Sequence, residues 1–282
     1  MCAMLAAFSA ASIDGSNPNL LASRVHLVDA YPRDKPKNFL FRGNNPVNKT
    51  NASNFDFALL VSTLRSKALS ECATTLPPAF EFYDLDLENP TDPGFFTETS
   101  FWHKHASLGM LGTPGMPGVW ITLGSVLEPK VVPKLTRAEM VRNGSWAIAG
   151  HADHLSSRLN ATRALLENTS GPSKVIFAHC NAGCDRTGEF IASYSLSFLG
   201  YNVTTAYGEA CKQCGRCPNY YATSSVGWWC LTLQAQSATP EQLGDCLDFA
   251  GCKFLGDCDA HSPTPLADDC PSHERHQDGT QS

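Results

Sequence analysis

Residues 174–189, KVIFAHCNAGCDRTGE, constrain the fold of this chain more than any other stretch. Lys174 to Cys180 is a short β-branched and aromatic run, the pattern of a strand buried on both faces. A short loop follows, and then a helical pattern that starts near Thr187 and carries Phe190, Ile191, Tyr194, Leu196 and Phe198 up to Leu199-Gly200. A buried strand passing through a loop straight into a helix predicts an α/β domain. Its central sheet is expected to be mostly parallel and flanked by helices, with the site at the C-terminal edge of the strands.

The same stretch carries chemistry. Cys180 and Arg186 stand with five residues between them, and Thr187 and Gly188 follow. A loop between a strand and a helix N-terminus turns its backbone N–H groups inward, which makes an anion nest the size of a phosphate. Asn181, Ala182, Gly183, Cys184 and Asp185 would line that nest, and Arg186 would close it with a planar fork for two phosphate oxygens. A thiolate at Cys180 is the natural nucleophile there. The Thr187 hydroxyl is placed to donate to it. Gly183 permits the tight turn and Gly188 lets the next helix pack closely.

Read as His-Cys-x-x-Gly-x-x-Arg-Thr-Gly, the segment HCNAGCDRTG resembles the signature loop of the protein-tyrosine-phosphatase superfamily. Upstream, FLFRGNNP, the helical pattern after it and DLDLEN are similar to the opening of the dual-specificity phosphatases. The resemblance implies the cysteine-phosphatase fold over about residues 35–210 and hydrolysis of phosphomonoesters through a phosphocysteine intermediate. It casts Cys180 as nucleophile, Arg186 as phosphate binder, and His179 and Gly188 as supporting residues. The scheme also needs a general acid, which relatives carry on an upstream mobile loop. Asp153 in GHADH is the nearest match, although no Trp-Pro-Asp sequence occurs, and Asp185 inside the loop is the second candidate. Asp153 and His151 also read simply as helix N-terminal residues. An Asp before the Arg is shared with myotubularin-like and Sac-like lipid phosphatases, so a phosphoinositide or inositol phosphate is the alternative substrate. The loop carries no Lys, which favours a phosphorylated protein or a small phosphomonoester. A phosphate-binding protein without turnover is the reading from a different class. No cofactor or metal is needed by the scheme.

Twelve cysteines set a second constraint. Cys211, Cys214, Cys217, Cys230, Cys246, Cys252, Cys258 and Cys270 crowd the last quarter, which reads as a disulfide framework in an oxidising compartment or a zinc site in a reducing one. Cys211-x-x-Cys214-x-x-Cys217 lacks a clean second Cys-x-x-Cys pair, which favours disulfides. Cys184 is either an ordinary loop residue or a redox partner of Cys180 or another cysteine. Six Asn-x-Ser/Thr triplets, at Asn48, Asn51, Asn143, Asn160, Asn168 and Asn202, point with the cysteines to a glycosylated protein of the secretory pathway. A cytoplasmic location is the alternative. MCAMLAAFSAAS reads as a poor or truncated signal segment, for it lacks a basic start.

Along the chain, residues 1–20 are expected to be a leader, 211–270 a cysteine-rich extension packed on the phosphatase-like domain, and 271–282 a disordered tail. Strands are expected at 38–46 and 80–90, helices at 55–71 and 153–167, and a long irregular excursion at 91–135 with a possible strand at 118–127. Trp228 and Trp229 read as core. Charged residues are 17% and the net charge is −6, so nothing draws the chain as a whole to nucleic acid. No run is long enough to span a membrane.

Overall fold

In the computed structural model, the residues described are 20–47, 55–88, 90–92, 94–105, 127–146 and 154–250. Four strands form one mixed sheet in the order β1-β2-β4-β3: β1 is His26–Tyr31, β2 Asn38–Asn44, β3 Glu81–Asp86 and β4 Lys174–Cys180. Three of them, β2, β4 and β3, run parallel. β1 pairs antiparallel with β2. The mostly parallel sheet expected from the sequence is therefore mixed at one edge. The cause is the short link from Tyr31 to Asn38, which can close a hairpin but not a crossover.

Side-chain alternation divides the core between the two faces. Phe39, Phe41, Phe82, Val175 and Phe177 point to one face and meet Leu60, Leu64 and Trp102. Those last three come from α1 (Phe57–Cys72) and α2 (Phe95–Lys104). Leu40, Leu85, Ile176 and Ala178 point to the other face and meet Leu155, Leu159, Ile191 and Tyr194. These belong to α4 (Leu155–Glu167) and α5 (Arg186–Phe198). With both faces covered, β4 is buried at every residue. That explains its unbroken apolar run.

Behind α5 lie α6 (Val203–Cys214) and α7 (Tyr220–Gln236), joined to it through Ala192, Leu196, Val203, Ala206, Ala210, Val226 and Cys230. Asn202 and Asn219 cap these helices, accepting hydrogen bonds from the N–H groups of Thr205 and Ala222. α6 runs across the expected boundary at 210, and α7 continues the helical layer. The excursion expected at 91–135 contains α2, and α3 (Lys134–Asn143) begins before it ends. Within it, residues 106–126, and with them nearly all of the possible strand at 118–127, lie outside the described residues. So do most of the expected leader and the tail. Among the described residues no helix is long and apolar enough to cross a membrane.

Three disulfides join described residues: Cys184–Cys214, Cys211–Cys217 and Cys230–Cys246. They divide the Cys211, Cys214, Cys217 triplet between two different bonds, which removes the zinc alternative for these three. Of the sequon asparagines, Asn143, Asn160, Asn168 and Asn202 are exposed, while Asn48 and Asn51 lie outside the described residues.

Candidate active site

Cys180 is the last residue of β4 and Arg186 the first of α5, so the loop 181–185 bridges the strand's C-terminal end and the helix N-terminus. Cys180 is 2% exposed and is the free thiol among the described cysteines. Gly183 takes φ +72°, and a Cβ there would lie 2.4 Å from the Gly43 carbonyl oxygen. Only glycine fits between the loop and the end of β2. Gly188 faces Pro218 so closely that a Cβ would sit 2.8 Å from its Cγ.

Two arginines hold the loop from outside. Arg24 Nη1 donates to the Ala182 carbonyl at 2.8 Å. Arg42, wholly buried, donates through Nη2 to the Gly183 carbonyl and through Nη1 to Ala210 O at 3.4 Å and Gln213 Oε1 at 3.2 Å. A planar trans peptide whose carbonyl is drawn outward turns its N–H the other way. The amides of Gly183 and Cys184 therefore point opposite to the carbonyls that the two arginines hold. Burial pushes the Arg42 pKa down to about 10, against an upward pull from the Cys180 sulfur. It stays charged at neutral pH and adds positive potential beneath the loop. Asn45 N–H donates to the carbonyls of Cys180 and Asn181 at 3.0 and 3.4 Å.

Arg186 Nη1 donates to Asp92 Oδ2 at 2.5 Å. Burial works against the Arg186 charge, but the Cys180 sulfur and Asp92 outweigh it and hold its pKa above the ordinary value. Beneath, His179 is fully buried, with Nε2 at 2.9 Å from Asp84 Oδ1 and 3.0 Å from Glu98 Oε1. Trp102 Nε1 donates to Asp84 Oδ2 at 2.5 Å. Burial opposes charge on His179, yet Glu98 and Asp84 prevail and raise its pKa well above normal. Burial also disfavours charge on Asp84, but the His179 imidazolium wins and lowers its pKa. Glu98, desolvated and crowded by Asp84 and Asp86, is raised well above the usual carboxylate range. Asp86 and Glu88 are pushed up to about 6 and about 8, chiefly by burial. Two sets of these residues converge closely enough to hold a metal ion: Asp84, Glu98 and His179, and Asp86, Glu88 and Glu98.

The sequence-predicted residues Cys180, Asn181, Ala182, Gly183, Cys184 and Arg186 thus meet in one loop, with His179 behind it. Asp185 is engaged by the segment that follows α6. It takes a two-pronged ion pair from Arg216, both contacts at 2.7 Å, and accepts from Asn219 N–H at 2.8 Å. Thr187 is buried, and its Oγ1 has no hydrogen-bond partner, Cys180 included. Asp153 lies outside the described residues. Cys184 is bonded to Cys214 rather than to Cys180.

Three residues were missed. Asp92 sits in the Pro-bounded turn PTDPG, and nothing in its spacing connects it to Arg186. Arg42 interrupts the apolar run FLFRG, and a cation in a buried strand is itself a signal of a built partner. Arg24 carries no such mark. No family model matches the chain, and no curated protein or solved structure does either.

Proposed function

We propose that this chain is a cysteine-dependent phosphatase that hydrolyses phosphomonoesters through a phosphocysteine intermediate. The observation that supports this best is the single loop that carries a free buried thiol at the end of its strand and a charged arginine at the start of the helix that follows. The fold that goes with it, in this reading, is the cysteine-phosphatase fold. A phosphate dianion entering the loop competes for the Arg186 fork and displaces Asp92 from it. Cys180 thiolate attacks phosphorus, the S–P bond forms as the P–O bond breaks, and Asp92 delivers a proton to the leaving oxygen. Water then attacks the phosphocysteine with Asp92 taking its proton, and inorganic phosphate departs with the thiolate restored. Asp92 takes the place of Asp185 as the general acid on the strength of its contact with Arg186, while Asp153 lies outside the described residues. Asp185 is engaged elsewhere by Arg216.

The neutral side chains of Asn181 and Ala182 favour a phosphorylated protein or small phosphomonoester over a polyanionic inositol phosphate. The three disulfides and the four exposed sequon asparagines support an oxidising, secretory location. The test is turnover of a chromogenic aryl phosphate by the purified chain. Cys180→Ser should abolish it, and Asp92→Asn should lower kcat by about 100-fold or more. Turnover unaffected by Cys180→Ser would overturn the proposal. No turnover in the native chain, with phosphate still bound, would move it to a phosphate-binding protein.

A further inference from the structure

β3 and the turn after it place Asp84, Asp86 and Glu88 at every second position, and α2 brings Glu98 against them. All four are 3% exposed or less. His179 offsets part of this charge through Asp84 and Glu98. Asp86 and Glu88 make no direct ion pair among the described residues, and in Asp86, Glu88 and Glu98 one oxygen is engaged and the other is not. Asp86 Oδ1 accepts from Glu88 N–H at 2.7 Å, Glu88 Oε1 from Asn45 Nδ2 at 2.6 Å, and Glu98 Oε1 contacts His179. Their second oxygens, Asp86 Oδ2, Glu88 Oε2 and Glu98 Oε2, are buried with no hydrogen-bond partner. A buried carboxylate oxygen without a donor is costly, so such atoms mark a missing positive partner.

We infer that Asp86, Glu88 and Glu98 form a site for one hard divalent cation, with calcium the best fit. Each offers a carboxylate oxygen, and those oxygens lie within 4.8 Å of one another. Oxygens around calcium stand at about 2.3–2.6 Å from the ion, so opposite ligands are separated by up to roughly 4.6–5.2 Å. The smaller magnesium shell is tighter and keeps several waters, for which carboxylates 3% exposed or less leave little room. Zinc prefers imidazole and thiolate, and the nearby imidazole, His179, already spans Asp84 and Glu98. The cation supplies the positive partner that the three unengaged oxygens lack, and it ties α2 to the end of β3. This site is independent of the phosphatase reading, because its readout is stability rather than turnover.

The test uses the full chain, stripped with EDTA and dialysed free of chelator, unfolded thermally with increasing calcium chloride against potassium chloride of equal ionic strength. Saturation at about 100 times Kd should raise the midpoint by roughly 5–10 °C, with one ion bound per chain by calorimetry. Glu98→Gln keeps an oxygen for His179, and Glu88→Gln keeps one for Asn45, so both variants should fold yet lose the calcium response. A native midpoint that does not move with calcium overturns the inference, and the carboxyls then hold protons instead. A response that persists in both variants overturns it too, by placing the ion elsewhere.

Discussion

Replacing Cys184 and Cys214 together by alanine should weaken the fold and, separately, the active loop. The bond closes a segment with a sequence separation of 30. By the chain-entropy relation such a cross-link removes about 12 cal/mol/K from the unfolded ensemble, or about 3.6 kcal/mol at 25 °C. For a chain of this size each kcal/mol moves the midpoint by roughly 2–4 °C, so the double variant should melt roughly 7–14 °C lower. The loop effect is distinguishable from the stability effect by a control at Cys230–Cys246, where the separation is 16. That pair is worth about 3.1 kcal/mol by the same relation, and it lies against α7 and its following turn, away from Cys180. Aryl phosphate kinetics at a temperature where all three proteins are folded should show kcat/KM down by about 10-fold or more for Cys184→Ala/Cys214→Ala and unchanged for Cys230→Ala/Cys246→Ala. Equal kcat/KM in the two double variants would refute the reasoning, because the Cys184 bond would then only stabilise the fold.

Gly183→Ala combines a left-handed backbone, costing about 1–2 kcal/mol for a residue with a Cβ, with a Cβ 2.4 Å from Gly43 O. The loop must move, and kcat/KM should fall by about 100-fold; an active variant would show that the loop has room to spare. Cys214→Ala alone leaves a free Cys184 four residues from Cys180, so activity should decay in air and return with dithiothreitol, unlike the native chain. Burial raises the Glu71 pKa, but contacts from His26, the Leu27 N–H and Lys67 outweigh that and set it below 4.5. Glu71 therefore contributes stability that is fully present above about pH 4.5 and lost as pH falls through the lowered folded value. The gap in urea midpoint between native protein and Glu71→Gln should close below pH 4.5, and a constant gap would contradict this.

What the sequence made legible was the buried centre. KVIFAHC is apolar because both faces of β4 are covered, and FLFRGN and EFYDLD flank it as strands because they alternate or are buried likewise. The edge was less readable. HLVDAY pairs antiparallel on the strength of a link whose length, not whose pattern, decides direction. α2 escaped notice because FFTETSFWHK follows a Pro- and Gly-rich turn and its inward residues include Glu98, which a polar/apolar reading sends outward. The proposed catalytic loop was legible because its residues are contiguous. Its supports, Arg24, Arg42 and Asp92, come from three other places in the chain and are joined to it only by folding.

The cysteines pose a conflict, since a nucleophilic thiol and a disulfide framework ask for opposite redox conditions. The fold resolves it by position. The thiol nearest in sequence to Cys180 is held by Cys214, and Cys211 is held by Cys217. Thiol–disulfide exchange needs an accessible sulfur and an attacking thiolate that can reach it, and Cys180 is 2% exposed. The bond that makes Cys184 unavailable also fixes the segment from which Arg186 and α5 begin. If Cys180 is the nucleophile proposed above, oxidation of this pair protects it and shapes its surroundings in one step. A reductant strong enough to open Cys184–Cys214 should therefore impair the loop rather than activate it.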